Sequence, residues 1–205
     1  MGRGAEAPPG LSSGGRRCAH GHLPRVMHMA RNRPLEIEQE LLEEFEHNGR
    51  VNEYLVSVLP DAIWRMPPPD GRGRTIAAIV AHIQSVRRTF ARMGGARPGP
   101  PSLDRLKSTR AQAQRALRQS TTELSTMFEA AIAARQTRVK GMPRRVVNML
   151  PYLVQHDAHH RGQIFMLAKS LGHEFRAEDV MRVWGWKALT GRQGPNQATD
   201  RVVNA

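Results

Sequence analysis

Three histidines fall within five positions in the stretch 155–164, QHDAHHRGQI, with an aspartate directly after the first. The whole chain holds nine histidines, so this concentration calls for a chemical reason. An unprotonated imidazole offers a lone pair without carrying charge into an apolar interior, which makes it the usual ligand for a borderline divalent ion. On a helix advancing about 100° per residue, with His156 at zero, His160 lies at about 40°, Leu153 at about 60°, Ile164 at about 80°, and Met149 and Leu167 at about 20°. His156 and His160 thus share a stripe with core residues, one turn apart, within reach of one ion. His159, at about 300°, flanks that stripe.

A metal held by protein alone wants a third ligand. His82, in TIAAIVAHI, is the histidine of the preceding amphipathic segment and lies at the edge of its apolar stripe, beside Ile79 and Val86. The competing reading is structural, with each ring simply hydrogen-bonded in the core. Two rings on one stripe make that reading harder, since every buried ring nitrogen then needs its own partner. A peptidase reading is weaker. HDAHH puts aspartate where H-E-x-x-H has glutamate, one methylene short of a metal-bound water, and no further ligand follows at the expected spacing. Asp157, at about 100° from His156, sits either at the surface or beside a ligand ring that it orients.

The elements that must position these rings are helical. Leu41, Leu42, Phe45, Leu55, Val58 and Leu59 recur at helical spacing until Pro60, after Pro34 and the acids Glu36, Glu38 and Glu40. The stretch 61–74 reads as a loop by its prolines and glycines. A second helix follows from the N-cap Thr75, and a third is expected from Ser102, with Leu103 and Leu106 opening its stripe. The fourth runs from about Pro143 to Leu171, closed by Gly172, and a short helix lies within 177–191. Nothing alternates with period two. The expectation is an all-α four-helix bundle with a short C-terminal helix. Its domain is 34–190, flanked by a disordered basic tail at 1–33 and a polar tail at 191–205. Cys18, His20 and His22 in the first tail read as incidental, because a flexible tail loses entropy in building any site.

Composition narrows the function. The net charge is +13, and 27 of the 31 basic residues are arginine. Aromatic residues make up only 5%, too few for the stacking platforms of single-strand nucleic-acid binders. One cysteine permits no internal disulfide and fits a reducing, cytoplasmic setting. No apolar run approaches the ~20 residues that span a bilayer. Trp64, Trp184 and Trp186 read as packing anchors at the bundle end rather than as a substrate entrance.

The combination of TIAAIVAHI, the Trp-containing Pro/Gly loop before it and HDAHHRGQIFMLAKSLG resembles the DinB-like superfamily of bacterial four-helix bundles, over roughly residues 35–187. The resemblance implies a divalent metal, zinc or nickel, held by His82, His156 and His160. It also implies a metal-dependent enzyme that joins a low-molecular-weight thiol to a small electrophilic substrate, as a thiol S-transferase or isomerase. The alternative is a non-catalytic metal-binding or stress-related bundle. Homodimers are common among such bundles. Arg161 and Gln163 match the family signature without an assigned role, Gly162 would allow a close helix contact, and Arg87 or Arg161 could hold a substrate carboxylate unless both lie on a solvated face.

Overall fold

The computed structural model describes residues 36–96, 99 and 101–184. The expected tails, Pro34, the Cys18/His20/His22 group and Trp186 lie outside the described residues. Six helices and no strand occur among them: α1 (Ile37–Val58), α2 (Asp61–Trp64), α3 (Ile76–Met93), α4 (Arg110–Ala133), α5 (Val146–Ser170) and α6 (Ala177–Val183). The four long helices are the expected bundle. The expected loop at 61–74 contains a helical turn, α2, which buries Ile63 and Trp64.

Local sequence explains most of the boundaries. Thr75 caps α3 as expected, its Oγ1 accepting from the Ala78 amide at 3.2 Å. The cap of α4 is Thr109 instead of Ser102. Thr109 and Gln112 satisfy each other's backbone amides in a reciprocal box, Thr109 Oγ1 accepting at 3.2 Å and Gln112 Oε1 at 2.8 Å. Ser102 is spent elsewhere, accepting from Arg88 at 2.6 Å. Asp104 then folds the chain into a turn by accepting from the Leu106 and Lys107 amides, which leaves Leu106 75% exposed instead of in the stripe. α5 begins at Val146, three residues after Pro143. At its other end Gly172 takes φ +81°, and the His173 amide closes back on the Ala168 carbonyl at 2.9 Å.

Each long helix contributes to two separate apolar clusters. One gathers Leu55 of α1, Ile76, Ile79 and Ile83 of α3, Leu117 of α4 and Ile164 of α5, closed by Trp64 and Val183. The other gathers Leu42 and Phe45 of α1, Leu124 and Phe128 of α4, and Met149, Leu150 and Leu153 of α5. The order of these residues shows that α1 and α5 run toward the first cluster while α3 and α4 run away from it. α1 packs on α4 and α5, and α3 packs on the same two helices. The α3–α5 seam is therefore antiparallel, and residues 102–108 return the chain along α3. Trp64 anchors the end of that return by donating Nε1–H to the Ser108 carbonyl at 2.8 Å. Trp184 does not pack as expected: 72% exposed, it follows α6 on the surface.

Between the two clusters lies a buried polar layer of Asn48, Asn52, Arg87, Thr121 and Asp157. A Cβ at Gly49 would stand 2.6 Å from Thr121, so the missing side chain sets how closely α1 and α4 approach at this level. Gly162, by contrast, has nothing within 4 Å of its would-be Cβ, and the close helix contact expected there does not occur.

Candidate metal centre

The α3–α5 seam brings His82, His156 and His160 together across a sequence gap of more than seventy residues. One ring nitrogen from each lies within 4.8 Å of the others. Ring centroids are 5.3 Å apart for His82 and His156, 4.7 Å for His82 and His160, and 4.6 Å for His156 and His160. His160 is buried, while His82 and His156 are partly exposed along the seam. His159 lies outside the group and is exposed, its ring 5.0 Å from that of His160.

The helical geometry explains this gradation. The buried residues of α5 are Met149, Leu150, Leu153, Asp157, His160, Ile164 and Ala168 with Val146. Taking His156 as zero, they centre near about 75°. His156 is thus an edge residue facing α3, and Asp157, at about 100°, points into the centre of the bundle. This settles the open choice for Asp157, whose side chain is 0% exposed.

Asp157 organises four partners. Its Oδ2 accepts from Arg87 Nη2 at 2.5 Å, from Asn48 Nδ2 at 2.8 Å and from Asn52 Nδ2 at 2.9 Å. Its Oδ1 faces His156 Nδ1 at 3.3 Å. Burial raises the carboxyl pKa. The charge of Arg87, with hydrogen bonds from His156, Arg87 and Asn48, outweighs burial and holds the group at about 2. An ionised carboxylate only accepts, so His156 carries a proton on Nδ1, and the neutral form of the ring then has its lone pair on Nε2. His160 Nδ1 meets Gln163 Oε1 at 2.8 Å, and the Gln163 amide nitrogen meets His159 Nε2 at 3.0 Å. The amide oxygen accepts from His160 and its NH2 donates to His159, which again leaves Nε2 of His160 free. Burial, then repulsion from His160 and His156 in their protonated forms and from Arg74 and Arg105, pushes His82 down to about 4. Burial lowers His160 as well. At pH 7 the His82 ring is neutral, and the donor set suits a borderline divalent ion.

The two signature residues without an assigned role now have one. Gln163 fixes the His160 ring. Arg161 donates Nη1–H to the amide oxygens of Asn48 and, at 3.0 Å, of Asn52, turning both amide groups toward Asp157. Arg87 is fully buried and also donates to Thr121 Oγ1 at 2.7 Å. Arg87 does not lie on a solvated face, and Arg161 is partly buried with its Nη1 held by the two asparagines. Asn48 and Asn52 escaped the sequence reading. The signal was present as two asparagines in the apolar register of α1, between Phe45 and Leu55.

The Asp157 shift has a consequence for acid stability. An unfolded aspartate titrates near about 3.9, and the folded group near about 2. Between those values the unfolded chain binds more protons, so the contribution of Asp157 is complete above about pH 4 and is lost as pH falls through 2. The metal-free protein should show a melting temperature that drops from pH 4 to pH 2, with a shallower drop in Asp157→Asn. Equal slopes in the two proteins would assign the acid transition to other carboxylates.

Fold and site together define a helical-bundle protein with a three-histidine cluster able to hold a divalent metal ion. The chain matches the DinB family over residues 29–193 and belongs to it. No curated protein and no solved structure matches the chain. No helix of the described residues is long and apolar enough to cross a membrane.

Proposed function

We propose that His82, His156 and His160 hold one divalent cation, zinc or nickel, and that the protein is a metal-dependent enzyme joining a low-molecular-weight thiol to a small electrophilic substrate. The observation that carries this reading is the convergence of three ring nitrogens at a seam that also reaches a cavity. Gln163, which holds the His160 ring, lines a cavity of about 700 Å³ between residues 68–74 and α5. Three protein ligands leave coordination positions for small molecules, as catalytic sites do and four-ligand structural sites do not. When bound, the ion supplies Lewis acidity toward a thiol sulfur at neutral pH.

The chain's own contribution is orientation. Asp157 and Gln163 hold two rings in the tautomer whose lone pair is on Nε2, and the layer of Asn48, Asn52, Arg87 and Arg161 keeps Asp157 in place. Arg74 and Arg105 add positive charge near His82, which favours an anionic sulfur over a neutral one.

The test is thiol consumption by zinc- or nickel-reconstituted protein with 1-chloro-2,4-dinitrobenzene as electrophile, across a panel of small thiols. We expect turnover with at least one thiol, abolished by chelation and by His82→Ala. One tightly held ion per chain without turnover on any thiol or electrophile would leave the second reading, a non-catalytic metal-binding bundle.

A further inference from the structure

The same cavity carries information about what enters it. One wall is apolar, made by Pro68, Pro69, Ile79, Met166 and Leu167. Met166 is 70% exposed, a large apolar side chain at the solvent edge with no core to justify it. The loop that brings Pro68 and Pro69 also carries Arg72 and Arg74 into the lining. Among the described residues no carboxylate pairs with either guanidinium. Asp70, the acid on the same loop, accepts from the Arg72 backbone amide at 3.0 Å, so the loop is left with two cations against one anion. The charge of Arg74 acts on both His82 and His160.

Neither Arg87 nor Arg161 lines this cavity. Arg87 is closed off by Asp157 and Thr121, and Arg161 by Asn48 and Asn52. Arg72 and Arg74 are the arginines that line this cavity, and among the described residues neither guanidinium has a carboxylate partner. A guanidinium with free donors beside an apolar wall recognises a carboxylate on a hydrophobic body, because each half of such a molecule finds its complement.

We propose that this cavity binds a small amphiphilic organic anion, its carboxylate on Arg72 and Arg74 and its apolar body against Pro68, Pro69, Ile79, Met166 and Leu167. The proposal deepens the reading of the triad as a reaction centre, since it names the class of substrate delivered to it. It gives the cavity its selectivity, carboxylates over neutral isosteres of the same shape.

Calorimetric titration with 4-phenylbutyrate and with its amide, 4-phenylbutanamide, tests this on the full-length protein, both zinc-reconstituted and chelator-treated. The carboxylate should bind at least about tenfold more tightly than the amide, the equivalent of one charge-assisted hydrogen bond. That preference should vanish in the Arg72→Gln/Arg74→Gln protein while its thermal melting and metal content stay unchanged. Equal binding of acid and amide, no binding of the acid up to about 10 mM (a free energy near the weak end of the affinity scale), or a preference that survives the double substitution would each overturn the proposal. The last of these would place the anion elsewhere, on the ion itself in the zinc form. Metal content separates this outcome from that of the triad. A protein that takes up no metal but keeps an arginine-dependent preference retains the anion site and loses the metal reading. A metal-loaded protein without the preference does the reverse.

Discussion

Arg87→Ala is expected to lower the stability of the metal-free protein by about 3–5 kcal/mol, the cost of removing one partner from a buried ion pair. For a domain of this size that corresponds to roughly 10 °C in melting temperature. The reason is specific to the layer between the two apolar clusters. Asp157 is fully buried, and its Oδ2 accepts from Arg87 at 2.5 Å. Without the guanidinium, burial would act on that carboxylate with only the two asparagine amides and His156 to oppose it. Thr121 Oγ1 and the Leu117 carbonyl would also lose a donor. Replacing both members at once, as Arg87→Met with Asp157→Asn, should cost less than the single change, because no buried carboxylate is left without its guanidinium and an amide oxygen still accepts from Asn48 and Asn52. Thermal and urea unfolding of the three proteins measures this directly. A single-variant loss under about 1 kcal/mol, the worth of an exposed pair, would mean that water reaches Asp157 and that the layer is not the buried network described.

His160→Ala is expected to abolish stoichiometric metal binding. Plasma mass spectrometry on untagged protein should find about one divalent ion per chain in the intact protein after zinc or nickel reconstitution, and none in the variant. Gln163→Ala removes the hydrogen bond that fixes the His160 ring, together with the one to the exposed His159. It should weaken affinity by roughly 10–100-fold, the usual effect of losing an outer partner of a ligand histidine. The order matters more than either value alone: intact protein, then Gln163→Ala, then His160→Ala. Because His160 is 5% exposed, the variant's metal-free melting curve must be recorded alongside, so that an unfolded chain is not mistaken for a folded one without ligand. No metal in the intact protein would sink the triad and leave the rings as hydrogen-bonded core residues. Metal retained in folded His160→Ala would move the site to other side chains.

Much of this molecule was legible in one dimension. Helical spacing of apolar residues located the four long helices, since a stripe of period 3.6 has one stable use in a soluble fold. The i, i+4 interval of His156 and His160 put two rings on one side of α5 by helical geometry alone. The pairing of that interval with the HRGQ residues and with His82 is by itself enough to point to the family. Thr75 as a cap and Gly172 as a terminator follow from local chemistry within a few residues. Ser102 failed for a matching reason: the better local solution, the reciprocal box of Thr109 with Gln112, lay seven residues on.

What only the tertiary structure decided depends on which helix lies beside which. The direction of the bundle centre, set by all eight buried residues of α5 together, turned Asp157 inward and left His156 at the seam. That single rotation determines that the aspartate orients a ring instead of meeting solvent. Arg87 and Arg161 read as surface charges because arginine usually is one. The full burial of Arg87 and the partial burial of Arg161 depend on Asn48, Asn52 and Thr121, contributed by helices far away in sequence. The meeting of His82 with the other two rings, and of the Arg72–Arg74 rim with Gln163, likewise depends on the antiparallel α3–α5 seam. A sequence pattern specifies the face of a helix that is buried. Partners across that face follow from the packing of whole helices, a property no local interval contains.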